Sequence, residues 1–307
     1  MSRRGKETVA ASTDGGEMPL GSEMEHLHLR MRAAAEVLRL PLRSGQWRGL
    51  TGQVMGQGTG SSIDFQDQRP YLPGDDPRHI NWQATARTGT PTMKLFRQEV
   101  SPQVDLVVDL SASMFLTPAK ALRVAELVYF FVESSLRLGG SLRVLALRET
   151  VEEMPMEHVL GYEWPEPYRG ERDLFSALSE VPARLRPGSL RLILTDALTP
   201  GAPEAVLPSL MAGQSRVIFF LPYCREEAAP AWAGNVEFLP VETGKPSLRR
   251  VPPDVLQRYF EAYGRHFQLW REQALRHGAA LARVSAEVGF LEALRAEALP
   301  EGAVELG

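Results

Sequence analysis

Cysteine, lysine and long apolar runs are what this chain has least of. One cysteine, Cys224, in 307 residues excludes an intrachain disulfide and suits a reducing compartment. Only four of the 34 basic residues are lysines (Lys6, Lys94, Lys120 and Lys245), a bias that reads as overall composition without functional meaning. The longest apolar runs, Leu127–Val132 and Val217–Leu221, are far too short to span a bilayer. Arg3, Arg4 and Lys6 are followed by no hydrophobic core of a signal peptide. A net charge of −4 gives no global attraction to nucleic acid or an anionic membrane. The histidines (His26, His28, His79, His158, His266 and His277) show no metal-protease or triad spacing, and His26 and His28, two apart on a helix, cannot share a face. No internal repeat is visible. What remains is the expectation of a soluble, cytoplasmic globular chain with no membrane span, 44% hydrophobic and 23% charged, with a sizeable core in one or two domains.

The most informative stretch is V-D-L-V-V-D-L-S-A-S-M at Val104–Met114. Val104, Leu106, Val107 and Val108 form a short run rich in β-branched residues, the pattern of a strand buried on both faces. It ends on Asp109, after which Ser111 and Ser113 repeat an oxygen-bearing side chain at every second position. In extended chain that spacing sends all three to one side. A carboxylate and two hydroxyls at the end of a buried strand are hard oxygen ligands, suited to Mg²⁺ or Mn²⁺. Thr117-Pro118 then predicts an N-cap and the first helical residue. The blander reading is that Asp109 and the serines only cap and turn the chain.

Residues 1–22 are polar and aperiodic and are expected to form a disordered tail. Met24, Leu27, Met31, Ala34 and Leu38 recur at helical spacing, predicting an amphipathic helix that ends before Pro41. Glycine is frequent from Leu42 to Gly60; G-Q-G-T-G-S-S at Gly56–Ser62 lacks a phosphate-loop lysine and a preceding strand, so it reads as an irregular loop. Asp64–Arg97 follows, with strong turn chemistry at Pro73–Pro77. Ile80 and Trp82, and later Met93 and Leu95, alternate with polar neighbours, which predicts a small β-structured unit. Here Arg69, Arg78 and Arg87 are placed to meet Asp67, Asp75 and Asp76, and with Trp82 they are expected to form an internal ion-pair network that fixes irregular backbone. Residues 23–100 are thus read as a helix plus a small N-terminal β-rich subdomain.

Residues 101–307 alternate strands and helices. Ala119–Leu138 predicts a buried crossover helix ended by Gly139-Gly140. Strands are expected at Leu142–Leu147, Leu190–Thr195, Arg216–Leu221, Val236–Val241 and Ala280–Val284, and within Val151–Val159. Helices are expected at Leu174–Val181, Ala202–Met211, Val255–His277 and Phe290–Ala298. The fold class implied is α/β: a doubly wound, Rossmann-like, mainly parallel sheet covered on both faces. Leu190–Thr195 again ends on an acid, Asp196.

D-L-S-A-S before a helix, with Thr195-Asp196 after a later strand, resembles the metal-ion-dependent adhesion site of von Willebrand factor type A domains. R-P-Y-L-P-G-D-D-P-R-H-I-N-W-Q-A-T-A-R upstream resembles the signature of the bacterial family called domain of unknown function 58, whose members carry a von Willebrand A-like domain. V-E-F-L-P-V-E-T-G extends the likeness, which runs from about Gly49 to the end. The resemblance implies a von Willebrand A-like fold, Mg²⁺ or Mn²⁺ held by Asp109, Ser111, Ser113 and Asp196, and a partner protein, typically a MoxR-type AAA+ ATPase or its client.

One position departs from that pattern. Where such domains show G-G-T-[DN]-L, this chain has G-E-R-D-L at Gly170–Leu174, with Arg172 in place of the threonine ligand. A permanent cation repels a metal ion. Either Arg172 points away and Asp173 or water substitutes, or metal binds poorly, or Arg172 itself neutralises Asp109 and Asp196. The reading that follows is a non-enzymatic adaptor that binds a partner through the loops of Asp109, Arg172 and Asp196, with no nucleic-acid role. The alternative is a Mg²⁺-dependent phosphohydrolase or phosphotransferase using Asp109. It lacks the usual second acid two residues on, where Ser111 stands, and a lysine after a later strand.

Overall fold

In the computed structural model, the described residues are 21–42, 63–98, 101–161, 163–170, 174–199, 201–241 and 244–307. The tail at 1–20, the glycine-rich segment at 43–62, and Arg172 and Asp173 lie outside them. The chain divides into two compact units, one spanning residues 48–101 and the other the remainder.

In chain order the elements are α1 (Gly21–Val37), β1 (Leu38–Arg39), β2 (Ile63–Pro70), α2 (Trp82–Thr88), β3 (Thr92–Gln98), β4 (Gln103–Asp109), α3 (Pro118–Arg137), β5 (Ser141–Leu147), β6 (Val151–Met154), α4 (Met156–Leu160) and α5 (Leu174–Glu180). Then come β7 (Leu190–Leu194), α6 (Leu207–Leu210), β8 (Arg216–Tyr223), α7 (Arg225–Ala228), β9 (Gly234–Phe238), β10 (Ser247–Val251), α8 (Pro253–His277), β11 (Ala280–Ser285), α9 (Phe290–Ala293) and β12 (Glu305–Leu306).

The larger unit is built on a six-stranded sheet of order β11-β8-β7-β4-β5-β6. All neighbours run parallel except β6, which returns antiparallel to β5. This mixed α/β, mainly parallel architecture is compatible with a Rossmann-like fold. Alternate residues of β4 enter opposite cores: Val104, Leu106 and Val108 join the one beneath α1, α3 and α9, while Val107 joins the one beneath α6 and α8. The chain winds outward from β4 to β5 and then returns to place β7 on the other side of β4. The topological switch point therefore lies at the carboxyl ends of β4 and β7, where doubly wound sheets usually bind ligands.

Helix α1 belongs to this sheet unit, not to the β-rich subdomain with which the 23–100 boundary groups it. Its periodic residues Leu27, Met31 and Ala34, with Leu38 at the start of β1, are buried in the core that contains α3, and Arg30 and His28 reach Glu126 and Glu133 of α3 at 2.9 and 2.6 Å. Val236–Val241 forms a strand only over Gly234–Phe238, in a separate antiparallel pair with β10.

In the smaller unit β2 and β3 pair antiparallel, with a register shift between Phe65 and Asp67. Trp82, expected in extended chain, instead opens α2, because the Asn81 side chain accepts from the Ala84 N–H at 3.2 Å and caps the helix. Gly89, at φ 72°, closes it in the left-handed conformation that glycine tolerates. Among the described side chains, which leave out that of Asp67, the anticipated ion network is represented by local pairs. Arg69 grips Asp75 through two bonds of 2.7 Å, and Arg78 pairs with Asp76 at 2.6 Å. Each arginine reaches only six or two residues along the chain; the Arg69–Asp75 pair is part-buried, and the Arg78 side chain is 83% exposed. Arg87 makes no ion pair with a described residue, and Trp82 is 68% exposed.

Candidate functional site

At the carboxyl end of β4, Asp109 turns its carboxylate back over the following loop. Its Oδ1 accepts from the Ser111 N–H at 2.9 Å, and its Oδ2 accepts from the Thr195 hydroxyl, beyond β7, at 2.7 Å. Ser111 and Ser113 bring their hydroxyl oxygens to 3.1 Å. They converge through a turn and not through extended chain: Ala112–Phe115 forms one turn of 3₁₀-helix, with the Met114 N–H bonded to the Ser111 carbonyl. Tyr168 pins the loop, its N–H donating to Leu110 O at 2.6 Å and its carbonyl accepting from Ala112 at 2.9 Å. Asp109, Ser111, Ser113 and Asp196 therefore meet at the switch point, with Asp109 and Asp196 buried and the two serines half-buried.

The β7 loop is drawn tight. Ala197 holds a left-handed φ of 54°, uncommon for a residue with a Cβ. Its N–H donates to the Thr195 hydroxyl, the Leu198 N–H donates to Asp196 Oδ1 at 3.1 Å, and His266 of α8 pairs with the Ala197 carbonyl at 2.7 Å.

Behind these residues lies Lys120, which sequence reasoning passed over. The Thr117 hydroxyl accepts the Lys120 N–H at 3.1 Å, and so caps α3 and fixes Lys120 in its first turn. The ammonium is fully buried and donates three bonds: to the Ser113 carbonyl at 3.0 Å, to Asp196 Oδ2 at 2.9 Å and to Glu227 Oε1 at 2.5 Å. Glu227, in α7, is itself held by the Cys224 N–H at 3.0 Å, and Tyr259 of α8 donates to its carbonyl at 2.7 Å. Two signals pointed here. A lysine in the first turn of a buried helix opposes the helix dipole and needs acids nearby. The run C-R-E-E, just past the β8 strand, supplies one.

The electrostatics divide the site into two halves. Burial would raise the Asp196 carboxyl, but Lys120 outweighs it and holds the group below the usual carboxylate range. Burial likewise works against the Lys120 ammonium, and Asp196 and Glu227 together reverse that and stabilise its charge. Among the described residues Asp109 has no such cation. Burial, followed by repulsion from Asp196, pushes its carboxyl up to about 6 in spite of the bonds from Thr195 and Ser111. Among the described residues, three carboxyl groups (Asp109, Asp196 and Glu227) share one ammonium, so the Asp109 side carries uncompensated negative charge. An aspartate oxygen and two serine hydroxyls are donors that fit a hard divalent cation. No group of three His, Cys, Asp or Glu side chains among the described residues is arranged to hold a metal.

These elements define an α/β protein with an acid-and-hydroxyl site at the switch point of its parallel sheet. The chain belongs to the family described as Protein of unknown function DUF58, whose model matches residues 67–266. It is 33% identical over 85 residues to the uncharacterized protein Rv1480 of Mycobacterium tuberculosis and to the uncharacterized protein Mb1516 of Mycobacterium bovis. Those alignments cover 28% of this chain and 27% of each relative, so the chain spans about a quarter of the length of the curated relatives it matches. Among solved structures, the conserved hypothetical protein BatB from Bacteroides thetaiotaomicron aligns over 60% of this chain and 91% of its own, at 13% identity and a TM-score of 0.34. An aerotolerance-related membrane protein from Bacteroides fragilis, carrying multiple mutations to serine, covers 53% and 89% at 13% identity and a TM-score of 0.32. Likeness at that level carries no argument about this chain. No helix among the described residues is long and apolar enough to cross a membrane.

Proposed function

We propose that this chain is a non-enzymatic, cytoplasmic protein-interaction module of the von Willebrand A type, an adaptor that docks on a MoxR-type AAA+ ATPase or its client. Asp109, Ser111 and Ser113 would hold Mg²⁺ or Mn²⁺, with Asp196 behind them. A cation held there offers an open position to an Asp or Glu carboxylate of the partner. Arg172 and Asp173, four and five residues beyond Tyr168 in the sequence, would either complete that surface or pair with the carboxylate directly.

The observation that carries this reading is the pairing of half-buried hydroxyls and an undercompensated Asp109 with a fully engaged Lys120. All three ammonium hydrogens are used within the chain, which leaves none for a phosphoryl group. That arrangement favours binding over phosphoryl transfer, which also lacks a second acid at the Ser111 position. The test is a pull-down of purified chain against the MoxR-type ATPase of the same organism. A triple Asp109, Arg172, Asp196 to Ala variant is expected to lose retention; undiminished retention would refute this docking face.

A further inference from the structure

We infer that Lys120 is a built-in cation filling the inner half of this site, pinning its three loops together and setting how strongly the outer half, Asp109 with Ser111 and Ser113, takes a divalent ion. The inference rests on the cation reading proposed above. Its three acceptors come from three separate segments: the Ser113 carbonyl from the loop after β4, Asp196 from the loop after β7, and Glu227 from α7 after β8. One ammonium therefore closes the carboxyl edge across three adjacent strands of the sheet, and the Tyr259 bond to the Glu227 carbonyl extends the closure to α8. Both oxygens of Asp196 are engaged, Oδ2 by Lys120 and Oδ1 by the Leu198 N–H. An exchangeable cation is thus directed to the Asp109 side.

Charge then predicts an order of affinities that packing alone does not. Lys120→Met removes a positive charge from the site. Glu227→Gln removes a negative one. The double variant removes one of each and restores the balance. A unit charge a few ångströms away in a partly buried site changes divalent binding by about tenfold or more.

The experiment is calorimetric titration of the purified full chain with Mn²⁺ alone, for wild type and these three variants, with melting curves to confirm folding. Expected are binding about tenfold tighter in Lys120→Met, about tenfold weaker in Glu227→Gln, and near wild type in the double variant. Wild-type binding that Lys120→Met fails to tighten overturns the inference and leaves the cation reading standing. Binding in Lys120→Met with none in wild type supports the inference and overturns the cation reading for the native chain. Binding in neither overturns both. If Lys120→Met does not fold, Glu227→Gln decides, since it keeps Lys120 and its bond to Asp196; unchanged Mn²⁺ affinity there overturns the inference.

Discussion

Asp109 should destabilise the metal-free protein at neutral pH, and Asp109→Asn should relieve that cost. Its carboxyl is pushed up to about 6 by burial and by Asp196, against about 3.9 in an unfolded chain. Between those values the folded state binds the proton more tightly than the unfolded state does. Stability is therefore lost as pH rises through this window, and the full penalty is present above it. The gap between about 3.9 and about 6 corresponds to roughly 3 kcal/mol. Asparagine is nearly isosteric and neutral at every pH. The stability of Asp109→Asn relative to wild type should accordingly improve by about 2 kcal/mol between pH 4 and pH 7, since an unfolded Asp is already about half ionised at pH 4. Carboxyl groups away from Asp109 titrate alike in both proteins and cancel from the difference, and Asp196, held below the usual range by Lys120, stays largely ionised across this window. Any change in the hydrogen bonds to Thr195 and Ser111 shifts the difference by a constant. The assay is urea unfolding of both proteins in chelator across that pH range. Excess Mn²⁺ at neutral pH should then stabilise wild type and close the gap. A stability difference that stays flat with pH would refute the electrostatic reasoning.

Two further outcomes follow from exposure and burial. Arg78→Ala should leave the melting temperature essentially unchanged, because an exposed pair with a neighbour two residues away contributes little; a large drop would restore the internal network. The Cys224 thiol is buried and pushed up to about 12, by burial and then by Glu227, so it should resist alkylation in the native protein and react only on unfolding. Rapid labelling without loss of structure would contradict its packing.

The outline of the sheet unit was legible because its strands are buried on both faces. β4, β5, β7, β8 and β11 read as apolar runs for that reason, and α3 and α8 carry apolar residues over long helical stretches. Elements with weaker apolar pattern were not. β10 is S-L-R-R-V, with Leu248 72% exposed, so no alternation marked it as a strand. α2 sits on polar and small residues, and a cap at Asn81 decided it against the apparent alternation of Ile80 and Trp82. At the site, Asp109, Ser111, Ser113 and Asp196 stood out as oxygen donors at strand ends. Lys120 did not, because it lies at the start of a helix and turns inward, whereas the lysine expected of phosphoryl-transfer sites follows a later strand. Glu227 lies four residues beyond the end of β8, where only the strand order, with β8 beside β7, shows that it joins the same edge.

Whether the outer half of the site holds a cation is settled most directly by anomalous diffraction from crystals grown with Mn²⁺. One anomalous peak is predicted within bonding reach, about 2 Å, of the Ser111 and Ser113 hydroxyl oxygens. It should lie on the Asp109 side of the site, and it should vanish in Asp109→Ala. A peak among Asp196, Glu227 and the Lys120 ammonium, or no peak at this edge of the sheet, would contradict the assignment.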